Sequence, residues 1–217
     1  MPSVGENDMS TVNVYLQRPN ASIAGEPPLQ RAGLLAGPGP ATAGVILRER
    51  GLLGHLLLRG DASDDAFASA LNEVLGVELP GALTVVAEGE LSLQWLAPDE
   101  WLLIVPGGEE LAYERRLRAA LGADLHYSVV NVSGGQTLLE LSGPHVRDLL
   151  MKSTPYDVHP RNFPPGKAVG SVFAKSQCLI RRTGEDTWEL LIRRSFSDYF
   201  SLWLRDAAAE YGLWVRA

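Results

Sequence analysis

The hydrophobic positions of this chain change period several times, and each change marks an element. From Val45 onward, GVILRER and GHLLLRG read as two strands separated by a glycine-containing turn. Asp61-Ala62-Ser63-Asp64-Asp65 then offers a helix cap, and Phe67, Leu71, Val74 and Leu75 recur at helical spacing until Leu79-Pro80-Gly81 breaks the chain. LTVVAEGELSLQWLA predicts two more strands around Glu88-Gly89-Glu90, Pro98-Asp99-Glu100 a turn, and Trp101 to Val105 a buried strand. A helix over Glu109 to Leu121 follows, with Leu111, Leu117 and Leu121 facing inward and Arg115, Arg116 and Arg118 outward. DLHYSVVNVS reads as one further strand.

The stretch LLELSGPHVRDLLMKSTPYDVHPRNFPPG, Leu138 to Gly166, carries the clearest local signals. Leu138, Leu139 and Leu141 form a strand-like run, Ser142-Gly143-Pro144 a turn, and Val146, Leu149 and Leu150 the buried face of a helix over His145 to Met151. The chain leaves through Tyr156, Asp157, His159, Pro160 and Phe163-Pro164-Pro165-Gly166, where the prolines forbid a continued helix or a central strand. An exposed, extended loop is the expectation for 157–166.

The order of elements then recurs. Leu58-Arg59-Gly60-Asp61 matches Leu141-Ser142-Gly143-Pro144, a strand ending at a glycine turn before a helix. Asp99 to Ile104 matches Asp186 to Ile192 with Trp101 against Trp188, and Leu117 to Ala120 matches Leu204 to Ala207 in the same register. The prediction is an α+β protein of two tandem ferredoxin-like βαββα(β) halves, mostly antiparallel sheets covered by helices, which pack through their open sheet faces. The predicted organisation is a flexible or partner-wrapping arm over 1–43, a first half over 44–130 and a second over 131–217. Leu29, Leu34 and Leu35 give the Gly/Pro-rich arm an apolar grip.

Composition narrows the class. With 217 residues, 46% of them hydrophobic, there is ample material for a packed core, and a net charge of −7 argues against nucleic acid as a partner. No window approaches the roughly 18 apolar residues of a membrane span, and MPSVGENDMS lacks the basic start and apolar core of a secretory leader, so a cytoplasmic protein is expected. Cys178, the single cysteine, lies in the strand-like run SQCLIRR and is expected to be an inert buried thiol. The pairs Arg181-Arg182 and Arg193-Arg194 each end a strand-like run and read as solvated edges or contacts to an acidic partner.

Candidate chemistry is sparse. GPGPATAG lacks the Gly-Lys-Ser/Thr ending of a phosphate loop, PPGKAVGS lacks its glycine spacing, and no G-x-G-x-x-G opens a helix after a strand. His55, His126, His145 and His159 are scattered without metal-ligand spacing. Asp157 and His159 could form an acid–base pair, but such residues in a Pro-rich turn more often anchor the backbone. Arg59-Gly60-Asp61 and the acceptor patterns at Asn20 and Asn131 carry no weight without an exposed loop or a leader. Trp95, Trp101, Trp188, Trp203 and Trp214 could suggest an aromatic platform, yet core packing in two related halves accounts for Trp101 and Trp188.

Four phrases in fixed order resemble the gamma-subunit family of heterotetrameric sarcosine oxidases: GDASDDAFASALNEVLGVELP; Trp95-Leu-Ala-Pro-Asp-Glu-Trp-Leu; LSGPHVRDLL with Asp157-Val-His159-Pro160 and Phe163-Pro164; and Arg194-Ser195-Phe196-Ser197-Asp198-Tyr199. Ala97 stands where glycine is expected, and the arm before residue 44 is unmatched. The resemblance implies a complex whose alpha, beta and delta chains carry out oxidative demethylation of sarcosine to glycine, with the one-carbon unit released as formaldehyde or passed to tetrahydrofolate. It places FAD, FMN, NAD, zinc and tetrahydrofolate in those partners and no cofactor, metal or catalytic residue in this chain, whose fold is of the aminomethyltransferase folate-binding type. The chain would then be a scaffold packing directly on alpha. Asp157, His159, Phe163, Pro164, Pro165, Arg193 and Arg194 are the expected interface residues. Rival readings are the gamma chain of N-methylglutamate dehydrogenase or a similar N-methylamino-acid dehydrogenase, an adaptor outside amine metabolism, and a stand-alone folate-binding or methyl-transfer module, which needs an acidic side chain such as Glu88, Glu140 or Asp157 in a cavity.

Overall fold

A computed structural model describes residues 25–39 and 42–216. Its elements run α1 (Pro28–Arg31), β1 (Val45–Arg50), β2 (Gly54–Arg59), α2 (Asp65–Leu75), β3 (Val85–Glu88), β4 (Leu91–Ala97), β5 (Glu100–Val105), α3 (Glu110–Leu121) and β6 (Ser128–Asn131). They continue as β7 (Gln136–Ser142), α4 (Val146–Ser153), β8 (Ala168–Phe173), β9 (Ser176–Arg182), β10 (Trp188–Arg193), α5 (Ser197–Ala207) and β11 (Leu213–Arg216). From β2 the order strand, helix, three strands, helix, strand occurs twice. Each repeat has one more strand between its helices than the simplest βαββα unit.

The strands form a five-stranded sheet, β3-β4-β5-β2-β6, and a six-stranded sheet, β11-β1-β7-β10-β9-β8. All ladders within them are antiparallel except that between β1 and β11. The repeat register holds at the level of ladder partners. Leu58 on β2 faces Trp101 on β5, and Leu141 on β7 faces Trp188 on β10. Both tryptophans are buried, as are Leu117 on α3 and Leu204 on α5.

Period-2 alternation on the strands gives the molecule four layers. Leu56, Leu58, Trp101, Leu103 and Val105 point to α2 and α3 in one core, while Leu139, Leu141, Leu190 and Ile192 point to α4 and α5 in the other. The opposite strand faces meet through Leu102, Ile104, Leu138 and Leu191. Val85 N–H donates to Gly166 O at 2.8 Å and Ala168 N–H to Leu83 O at 2.9 Å, so the outer edges of β3 and β8 are also stitched together. Asp64 caps α2 by accepting from Ala66 N–H, and Gly76 ends that helix in the left-handed conformation.

β1 and β2 do not pair with one another, although the sequence groups Val45 to Arg50 with the first half. β2 already has β5 and β6 on its two edges, so β1 has no ladder to join there. It inserts instead between β7 and β11, with Val45 and Leu47 in the second core. Residues 25–39 of the predicted arm lie on the chain's own second half: Leu29 and Leu34 are buried in that core, Leu29 N–H donates to the Glu49 carboxylate, and Gly37 N–H donates to Val215 O on β11. Residues 1–24, 40 and 41 of the arm lie outside the described residues.

Candidate partner-docking surface

The expected interface residues separate into two groups at opposite ends of β10. At the Trp188 end, the 157–165 stretch is a set of turns held by its own backbone. Asp157 accepts from His159 N–H at 2.9 Å, His159 Nδ1 from Arg161 N–H at 3.2 Å, and His159 O from the N–H groups of Asn162 and Phe163. The expectation of an extended loop is therefore corrected, and Asp157 and His159 act as anchors. Phe163 is likewise corrected: it is fully buried in the second core, 5.6 Å edge-on to Tyr156 and 4.9 Å from Trp188 between ring centroids. An apolar ring flanked by prolines looked exposed from the sequence, but the turns carry it inward. Pro164 and Pro165 stay exposed.

Arg181 and Arg182 depart from expectation in the same direction. Both are buried rather than solvated. Arg182 Nη1 donates to Phe163 O at 2.8 Å and its other nitrogen to Glu185 O, so it ties the loop to β9. Arg181 lies between the sheets at 2% exposure, where Nε donates to Glu189 at 2.6 Å and Nη1 to Ser92 Oγ at 2.9 Å and Gln94 Oε1 at 3.1 Å. Burial lowers the guanidinium pKa, and the Glu189 carboxylate beside it opposes that shift. The pair was missed although Arg181 and Glu189 are direct cross-strand partners, a register that the hairpin around Gly184 implies. His55, also between the sheets, has neither ring nitrogen hydrogen-bonded among the described residues, and burial with Arg181 nearby lowers its pKa to about 4.

At the far end of β10, Arg193 and Arg194 are exposed as expected. There the inner face of the six-stranded sheet runs on past the inter-sheet cluster into a shallow depression of about 480 Å3, lined by Gln136, Gly170, Val172, Gln177, Leu179 and Arg193. Val172 is 39% exposed there, and beyond Arg194 lies Phe196 at 44%. Sequence reasoning placed neither at an interface, because Val172 reads as one more strand residue and Phe196 entered only as part of a family phrase. Cys178 is buried on β9 beside this depression, and burial pushes its thiol up to about 12. Among the described residues, no three His, Cys, Asp or Glu side chains group as a metal site would require.

The buried Arg181 thus joins the two sheets through Glu189, Ser92 and Gln94, and the open surfaces mix apolar strand positions with arginine. Together with the duplicated halves this defines a two-repeat α+β protein. A solved glycine cleavage system aminomethyltransferase T from Bartonella henselae shares the fold at a TM-score of 0.60 and 16% identity, covering 87% of this chain and 50% of that one. The chain belongs to the sarcosine oxidase, gamma subunit family, whose model matches residues 59–210. It is 42% identical over 175 residues to the sarcosine oxidase subunit gamma of Corynebacterium sp. (strain P-1) and 40% identical to that of an Arthrobacter species, in each case covering 79% of this chain and 84% of the relative. The solved heterotetrameric sarcosine oxidase from Corynebacterium sp. U-96 contains a chain that matches at a TM-score of 0.74 and 31% identity, covering 86% of this chain and 95% of that one.

Proposed function

We propose that this chain is the gamma subunit of a heterotetrameric sarcosine oxidase and acts as a scaffold that packs on the alpha subunit. The observation that carries the reading is the 42% identity to a sarcosine oxidase subunit gamma over 84% of its length. On this reading, sarcosine is demethylated to glycine in the partner chains, which hold FAD, FMN, NAD and zinc and pass the one-carbon unit to tetrahydrofolate. This chain's own role is to fix alpha in position relative to them. The small cavity beside Glu140 is only about 140 Å3, against the roughly 300 Å3 at which small-molecule pockets begin, so Glu140 is not placed to hold a pterin.

The docking face would be the depression at the end of β10. Val172 and Leu179 offer apolar area there, and Arg193 and Arg194 supply the planar donors that suit an acidic rim on the partner. Asp157, His159, Pro164 and Pro165, at the other end of the sheet, would meet a separate part of the same partner. Co-expression with the alpha chain alone tests the assignment. Val172→Asp combined with Arg193→Glu is expected to weaken retention of alpha by about tenfold or more. Full retention by a normally folded double variant would contradict this placement of the face.

A further inference from the structure

The second repeat closes a gap that the first repeat leaves open. Between the turn after β7 and the segment leading into β11, the chain threads its own residues 42–45: His145 N–H donates to Gly44 O at 3.0 Å, Gly44 N–H to Tyr211 O at 2.8 Å, and Val45 N–H to Gly212 O at 3.1 Å. The approach is close enough that a Cβ on Gly143 would sit 2.6 Å from Gly44 O. In the first repeat the corresponding gap, between Gly60–Asp64 after β2 and Leu125–Ser128 before β6, is a cavity of about 940 Å3, unfilled by any described residue. Its floor is Phe67 with Leu125 and Tyr127. Its rim carries Asp61, Asp64 and Asp99 against Arg59, and Arg59 is already paired to Asp99 at 2.7 Å. Ser63 donates to the Asp61 carboxylate from both N–H and Oγ and holds it below the usual carboxylate range, so the rim stays negative.

We propose that this cleft receives a peptide segment of the partner subunit, threaded between the two walls as residues 42–45 are in the second repeat, with a Lys or Arg opposite Asp61 and an apolar side chain over Phe67 and Tyr127. The inference rests on the subunit reading above. A second copy of this chain fits less well, because its net charge of −7 repels an acidic rim.

The test uses the co-expressed complex with a photo-crosslinking amino acid at His126, on the exposed wall, and as control at Glu73 on the outer side of α2. Irradiation is expected to join His126 to a single Lys- or Arg-containing peptide of a partner chain and to join Glu73 to none. Asp61→Asn, which keeps an oxygen acceptor for Ser63, should release that partner about tenfold more readily at moderate salt, while the isolated variant melts as the parent chain does. If the complex assembles but His126 labels nothing, or labels its own chain, the cleft assignment is overturned and the subunit reading stands. A chain that assembles with no partner overturns both.

Discussion

His55 shows what burial does to a single residue. Its ring is enclosed between two sheets, so the neutral form is favoured and its pKa falls from the ordinary 6.5 to about 4. The unfolded chain binds a proton there that the folded chain refuses between those values. Stability is therefore intact above about pH 6.5 and is lost progressively as the pH falls toward 4, by up to about 3 kcal/mol. Urea unfolding measured across that range should show a slope for the parent chain that flattens in His55→Leu; an unchanged slope would place the titration elsewhere. Phe163 gives a second residue-scale expectation. As a fully buried ring among Tyr156 and Trp188, its truncation to alanine should cost about 3–5 kcal/mol even in the isolated chain, whereas Pro165→Ala should change stability by less than about 1 kcal/mol. Equal, small effects of the two substitutions would return Phe163 to the surface. The alternation of Leu139, Leu141, Leu190 and Ile192 was legible because a strand's period reports directly which face is buried. Arg181 and Phe163 were not, because their burial depends on what lies across a second sheet or beneath a turn, and no local pattern encodes that.

At the scale of elements, the repeat was readable and the strand exchange was not. Trp101 and Trp188 mark equivalent strands in the sequence and face Leu58 and Leu141 in equivalent ladders. β1 is different: only Gly51, Leu52 and Leu53 separate it from β2, and its own pattern fits either sheet. The choice is made by long-range pairing, since β2 has both edges filled and β7 has one free for it. The segment around α1 follows from that choice. With β1 and β11 at the edge of the six-stranded sheet, Leu29 and Leu34 cover the end of the second core, and the Gly37 N–H to Val215 O bond caps the exposed edge of β11. Leu29→Ala with Leu34→Ala should accordingly destabilise the second half by about 4 kcal/mol or more, read as a lower midpoint in urea. Hydrogen exchange should show the loss of protection on β1 and β11 before the five-stranded sheet. Uniform loss across both sheets would mean that the segment is not a local cover.

For the molecule as a whole, the two repeats are joined by an apolar strip and by the Arg181–Glu189–Ser92–Gln94 network, which leaves one end of the inner sheet face and the first-repeat cleft open. On the proposed function, this chain belongs in a flavin-bearing assembly. That membership is tested most directly by co-expressing the tagged chain with the genes that neighbour its own and measuring the native mass, flavin absorbance and sarcosine oxidation of what is purified. The expected product is a yellow complex with three other chains that oxidises sarcosine. A colourless chain recovered alone, with its neighbours expressed and folded, would contradict the proposed function.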